Sequence, residues 1–214
     1  MPTNCDTVTK VAMTGFEGAT APSDPEPEYV AINGLNHAVV TMQENNHLAV
    51  VDLATGAVAS QYPAGTVSLT RIDTEEEDEI VQNSSLADVP READAVAWID
   101  DSRFVTANEG DYEGGSRGFS IYDAMSGTVT FDSASFLEHL SASIGHYPEH
   151  RSGNKGAEPE GVAVGTFGGT PMIFVGLERA NYVAVFADMG ADNAPDFKQV
   201  LPAGIGPEGL LPIP

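Results

Sequence analysis

Acidic residues recur in register along this 214-residue chain. Glu28, Asp94 and Glu160 are spaced by 66 and 66 residues. Each sits in a similar stretch: Glu26-Pro27-Glu28-Tyr29-Val30, Glu92-Ala93-Asp94-Ala95-Val96 and Glu158-Pro159-Glu160-Gly161-Val162. A shorter version, Gly206-Pro207-Glu208-Gly209-Leu210, adds Glu208. A second acid follows each of the first three, in Gln43-Glu44-Asn45, Asn108-Glu109-Gly110 and Leu177-Glu178-Arg179. Carboxylates gathered at one place repel each other unless protons or cations intervene. Hard cations suit them best, because Ca²⁺ accepts about 6–8 oxygen ligands, amides and carbonyls included. Glu28, Glu44, Asp94, Glu109, Glu160, Glu178 and Glu208 are therefore the expected ligands of calcium or another divalent metal, with Gln43, Asn45, Asn108 and Asp111 as further donors. The alternative is that each acid only accepts backbone amide bonds at a loop. Capping of that kind does not require the acid at the same place in every repeat.

The elements that must position these acids are short strands. Gly (22) and Pro (14) are frequent, which favours turns over long helices. Each repeat divides into four runs rich in Val, Ile, Phe, Tyr and Thr. They are 29–33, 38–43, 48–53 and 57–62 in the first, 95–99, 104–108, 119–123 and 128–132 in the second, and 162–166, 172–177, 182–186 and 197–201 in the third. The third hairpin carries the same turn twice, Asp52-Leu53-Ala54-Thr55-Gly56 and Asp123-Ala124-Met125-Ser126-Gly127. There the aspartate can bond the backbone ahead of it and glycine supplies a positive φ. The third repeat departs, with Asp188-Met189-Gly190 displaced.

Four-stranded units repeated head to tail define an all-β fold, a β-propeller, with about three blades of an incomplete ring. A β-sandwich also has many short strands, but it does not return an acid pair to the same place in every unit. The expected division is 1–25, the end of a preceding blade with residues 8–14 as its outer strand; 26–92 and 93–157, blades with insertions; 158–205, a blade; and 206–214, the first strand of a further blade. The insertion at 66–91 holds the charge run 74–79, expected to be solvated and mobile. The insertion at 133–157 opens with Ser135-Phe136-Leu137-Glu138, a capping box for one short helix that Gly145 ends. Phe136, Leu137, Leu140 and Ile144 are its expected packed face.

Composition excludes several partners. Acids outnumber bases 32 to 9, and the net charge of −23 repels nucleic acid and anionic membranes. No apolar run approaches the roughly 20 residues that span a bilayer. The start shows neither the basic nor the apolar region of a signal peptide. Cys5 is the single cysteine, so no internal disulfide forms.

The stretches 91–97, 105–112, 145–148, 154–162 and 206–210 together resemble the choice-of-anchor I domain, with Thr106-Ala107-Asn108-Glu109-Gly110-Asp111 and Glu158–Val162 the most specific. The resemblance runs from about Glu26 to the last residue. It implies a secreted bacterial β-propeller, extracellular or periplasmic and often attached to the cell surface in the full-length parent. Some members are named alkaline phosphatases, and the family is similar to calcium-containing phosphatase and esterase-like phytase propellers, so a calcium-rich site is implied. Two functions follow. One is a binding or scaffold module that takes cations. The other is a metal-dependent phosphomonoesterase acting on a phosphorylated small molecule, with Glu109, Asp111, Glu160 and Arg179 as the catalytic candidates. A third reading makes the chain a spacer in a larger surface protein, and closure of the ring calls for further blades or a second copy. No Ser-His-Asp order or phosphate-cradling loop is apparent. His139, His146 and His150 lack a clean metal spacing, and His37 and His47 read as surface residues. Arg117, Lys155 and Arg179 would bind phosphate or neutralise neighbouring acids.

Overall fold

In the computed structural model, residues 8–213 are described; Cys5, the start of the 1–25 segment and Pro214 lie outside them. Three four-stranded antiparallel sheets follow one another, each a simple up-and-down meander. Blade one comprises β1 (Val30–Ile32), β2 (His37–Met42), β3 (His47–Asp52) and β4 (Ala57–Pro63). After a separate two-stranded hairpin, β5 (Thr66–Ile72) and β6 (Ser84–Pro90), comes blade two: β7 (Ala93–Trp98), β8 (Arg103–Asn108), β9 (Gly118–Asp123) and β10 (Val129–Asp132). Helix α1 (Phe136–Ser143) and a 3-10 turn (Glu149–Arg151) lead to blade three: β11 (Pro159–Phe167), β12 (Thr170–Leu177), β13 (Tyr182–Ala187) and β14 (Asp196–Pro202). Innermost strands meet across the blade junctions, β7 against β1, β2 and β11. This is the radial packing of a propeller.

The middle strands show why the sequence takes this form. All of β8 and β13 is buried, and β3 is buried except at Asp52; β13 reads as an unbroken apolar run, while β3 and β8 are mostly apolar between polar end residues. The outer strands β4 and β14 alternate between covered and exposed. One core joins blades one and two around Leu48, Val50, Phe104 and Tyr122; another joins blades two and three around Phe119, Ile121, Ile173 and Phe186, sealed by Leu137. Polar clasps fix the junctions. Arg103 forms two bonds of 2.9 Å with the Asp188 carboxylate, and the Trp98 indole N–H donates to Ala31 O at 2.9 Å. The two expected turns form, with Asp52 Oδ1 accepting the Ala54 amide and Asp123 Oδ1 that of Ser126, each at 2.8 Å.

Several expectations need correction. Residues 8–14 form no strand of a preceding blade. The segment runs along β4, and Phe16 and Met13 pack on Met42, Ala49 and Val58 of blade one. Residues 206–213 form no strand either; they lie on blade three, with Leu210 against Gly161 and Gly176 and Pro212 against Gly165. Both segments thus cover the outward faces of the end blades, faces whose apolar residues need a partner whatever its conformation. The insertion at 66–91 contains the β5–β6 hairpin, and its charge run is exposed but tethered, since Glu149 Oε1 accepts the Glu77 and Asp78 amides at 2.6 and 2.8 Å.

The capping box is absent as well. Ser135 is the N-cap but makes no side-chain cap bond; its Oγ accepts the Thr70 amide at 3.1 Å. Glu138 turns inward to Arg117, both side chains fully buried and 3.0 Å apart. Its other oxygen accepts the Ala157 amide at 2.8 Å, while Arg117 donates to Gly114 O, Asp73 O and Ser152 O. This one pair therefore ties the hairpin, the helix and the loop before β11 to blade two. Leu137 is buried as expected, but Phe136 and Ile144 are partly exposed. His47 is not on the surface; it is 1% exposed, its ring tilted against that of Phe16.

Candidate functional site

The first acid of each repeat is aimed by an irregularity at the start of an inner strand. Pairing of β7 with β8 slips between Ala93 and Val96, so Asp94 sits on a bulge. Pairing of β11 with β12 slips between Pro159 and Gly161, which puts Glu160 on another. A bulge re-aims the side chain of its extra residue. In blade one, Glu28 stands two residues before β1, its amide donating to Thr41 O at 3.0 Å. Thr41 Oγ1 in turn donates to Asp94 O at 2.7 Å, which fixes blade one to the bulge of blade two.

These placements bring Glu28, Asp94, Glu160 and Glu208 to the walls of a single cleft of about 390 Å³, together with Tyr29, Gly161 and Gly209. Asp94 is 9% exposed and Glu160 half-buried, whereas Glu28 and Glu208 are open to solvent. Burial, together with the charges of Glu28 and Glu109, pushes the Asp94 carboxyl up to about 7. Burial and then the neighbouring charges of Glu178, Glu109 and Asp94 push Glu160 up to about 8. Glu28 is raised by its partial burial and by Glu44, Glu109 and Glu26. Glu178 lies within hydrogen-bonding reach of Glu160. One Glu160 oxygen is buried with no hydrogen-bond partner at all.

The second acids divide. Glu44 and Asp111 line a separate cleft of about 460 Å³ with Gln43, Glu92 and the exposed Tyr112. Glu109 stands between the two clefts with both oxygens engaged: Gln43 Nε2 donates to Oε2 at 2.5 Å and Lys155 Nζ to Oε1 at 2.6 Å. Lys155 also reaches Asp111, which is largely exposed, at 3.0 Å. Burial lowers the Lys155 ammonium, yet the bonds to Glu109 and Asp111 outweigh it and hold the group above its usual range. Arg179 contacts Glu158 and Glu178, each at 3.2 Å, with 44% of its side chain exposed. Of the three cations, Arg117 is sealed inside and Lys155 neutralises acids, which leaves Arg179 the one with an open face.

Sequence reasoning missed Glu92 and Glu158. Glu92 is buried and accepts the Asp111 and Tyr112 amides at 2.5 and 2.8 Å, shaping the loop after β8. Glu158 is buried between Arg151 and Arg179. Each stands two residues before a cleft acid in the repeated motif, and that repetition was the available signal. Two of the histidines in the 133–157 insertion are structural, His139 bonding Arg71 O and His146 bonding Ala180 O beside Tyr182, while His150 faces solvent.

Among the described residues no group of three or more His, Cys, Asp or Glu side chains is placed to hold a metal ion. The cleft acids still suit a hard cation held between two carboxylates and completed by water or carbonyl oxygens, because Glu160 offers a buried oxygen without a partner beside Glu178.

Fold and cleft together define a propeller module in which the first acid of each repeat lines a common cleft. The choice-of-anchor I domain model matches residues 4–114 and 112–190, and the chain belongs to that family. None of the curated proteins matches it. Among solved structures, the WD40 repeats of RRP9 align at 10% identity with a TM-score of 0.37, covering 86% of this chain and 56% of that one. A candidate 6-phosphogluconolactonase from Bacteroides fragilis aligns at 9% identity and TM-score 0.40, covering 86% and 57%. Another from Bacteroides uniformis gives 7% and 0.39, covering 90% and 60%. The chain thus spans less than two thirds of the length of these structures. At such TM-scores the sheets themselves, not the likeness, define the architecture.

Proposed function

We propose that this domain is an extracellular cation-binding propeller module that takes calcium at the cleft between Glu28, Asp94, Glu160 and Glu208. The observation that carries the reading is the convergence of one acid from each repeat on that cleft, with a buried Glu160 oxygen left unpartnered. Leaving such an oxygen without a donor is costly, and a bound cation removes the cost. Glu160 and Glu178 would hold the ion most directly, completed by water, with Asp94, Glu28 and Glu208 as outer acids of the cleft. Membership of the choice-of-anchor I family supports a secreted or cell-surface setting. Further blades of the parent or a second copy would complete the ring. Calorimetric titration with calcium tests the reading. Binding that weakens at least tenfold in Glu160→Gln supports it, and heat-silent titration of the wild type, with no shift in melting, refutes it.

A second reading has one observation in its favour, the open face of Arg179 beside Glu178 and Glu158. In a phosphomonoesterase a bound metal would polarise phosphate and activate water; Arg179 would orient the phosphate, while Glu109 and Asp111, tied to Lys155, would shape the wall. Hydrolysis of p-nitrophenyl phosphate by the full-length protein, lost on chelation and in Arg179→Met, would establish it. Calcium binding without turnover leaves the module reading.

A further inference from the structure

His47 is a buried titratable group that the acidic cleft does not use. It lies on β3, 1% exposed, under the segment that covers blade one. Leu48 and Val50 face blade two, whereas Ala49, with Met42, faces that segment. Phe16 closes over this side, itself 2% exposed, with its ring 5.2 Å from the His47 ring. The flanking Gly15 and Gly18 have φ of 80° and 87°, conformations that bend the backbone sharply around Phe16.

A two-step relay joins histidine to segment. Gln61 Nε2 donates to Gly15 O at 2.6 Å, which turns its Oε1 toward His47 Nε2, 2.8 Å away. His47 Nε2 therefore carries the proton of the neutral ring, and Nδ1 holds the lone pair. Nδ1 is buried with no partner. A second proton has only that atom to occupy, where it is buried and meets no acceptor. The far end of the segment is anchored independently. Asn45, expected as a cation donor, instead commits its whole amide here: Nδ2 donates to Thr20 O and Asp24 O at 2.8 and 3.0 Å, and Oδ1 accepts the Glu26 amide at 2.9 Å.

We propose that residues 13–19 form an acid-released strap: protonation of His47 at Nδ1 frees Phe16 and uncovers the Met42 and Ala49 face of blade one, hinging ahead of the Asn45 anchor. Burial holds the imidazole below its usual range, opposed only by the Gln61 bond. The titratable groups of the surrounding elements are Lys10, Glu17, Asp24 and Glu26 on the segment, His37 on β2, Glu44 in the loop after it, Asp52 on β3 and Tyr62 on β4, whose ring packs toward blade two; none of them perturbs His47. The sign follows from linkage. The closed form binds fewer protons, so closure is fully stable above about pH 6.5 and weakens as pH falls below it.

Hydrogen exchange of the Phe16–Ala19 amides, corrected for intrinsic rates, from pH 8 to pH 5 tests the strap. Protection of these amides is expected to fall up to about tenfold per pH unit below pH 6.5, while protection of β8 and of Glu26 holds. His47→Phe, which keeps an aromatic ring beside Phe16, should abolish the pH dependence, and Phe16→Ala should leave the strap open at every pH. An NMR titration of His47 in the wild type needs no variant. If His47 titrates while protection stays flat, or if His47→Phe keeps the wild-type pH profile, the proposal is overturned.

Discussion

Asp94 and Glu160 occupy equivalent bulges at the starts of β7 and β11, so successive blades present a carboxylate to the same cleft by the same backbone device. A bulge leaves its residue out of the ladder, and regular pairing would instead have alternated these side chains into or out of the blade stack. The raised carboxyls follow from this placement, since each is partly buried and faces another acid.

The cleft gives the protein an unusual pH profile. Asp94 and Glu160 bind protons in the folded state up to about 7 and about 8, whereas in the unfolded chain they ionise near 4. Folded-state pKa values raised in this way mean that the folded form holds more protons between those limits. Their contribution is therefore favourable below about pH 4 and is lost as pH rises through 7 and 8. In chelator, the melting temperature should fall between pH 5 and 8 through these two groups. Asp94→Asn and Glu160→Gln should flatten that fall. Melting curves of the three proteins in one buffer series check it.

Calcium should reverse the same loss. An ion bound only by the folded state stabilises it by about 2.7 kcal/mol at a hundredfold excess over Kd. At pH 8, millimolar calcium should restore the melting temperature of the wild type and leave Glu160→Gln nearly unmoved. Magnesium is a weaker substitute, because it demands a tighter octahedral shell than a wide cleft offers. Scanning calorimetry with either ion gives the comparison.

How much of this was legible in the sequence depended on repetition. Glu28, Asp94 and Glu160 were found because a spacing returned, and the middle strands because runs such as Tyr182–Ala187 are apolar throughout. Asp52 and Asp123 announced their turns through local chemistry. What failed lacked either a repeat or a local rule. Ser135 and Glu138 matched a capping box, yet a buried arginine from β9's approach competed for the carboxylate and won. Residues 8–14 and 206–213 have strand-like composition because both cover apolar faces, and covering requires apolar residues but no ladder. The division of the second acids between two clefts could not be read from spacing, because it depends on Gln43 and Lys155 capturing Glu109.

The Arg117–Glu138 pair should be the most damaging single site away from the cleft. Arg117→Met leaves a carboxylate buried without its cation and removes donors to three carbonyls, which costs about 3–5 kcal/mol. Replacing both members, as in Arg117→Met with Glu138→Leu, removes the orphan charge and should recover part of that loss. Urea denaturation at pH 7 measures each variant, and equal stability of single and double variants would show that the lost carbonyl bonds, not the stranded charge, carry the penalty.

Gly161 decides whether the last cleft acid stays in place. The Glu208 backbone passes so close to Gly161 that a Cβ there would collide with the Glu208 carbonyl oxygen, and backbone cannot yield as a flexible side chain can. Gly161→Ala must therefore displace either β11, which is paired along its length with β12, or residues 206–213, which no ladder holds. The unpaired segment is the one that moves. Its departure uncovers Phe174 and Val183, which line the groove beneath Leu210 and Pro212, and overpacking of this kind costs about 1–3 kcal/mol. Two readouts should change together. Chymotrypsin should cut after Leu210 much faster in Gly161→Ala than in the wild type, and calcium affinity should drop modestly, because Glu208 leaves while Asp94 and Glu160 remain. A variant that resists chymotrypsin as the wild type does would show that β11 gives way instead, and the Glu160 bulge would then be lost and calcium affinity would fall as far as in Glu160→Gln.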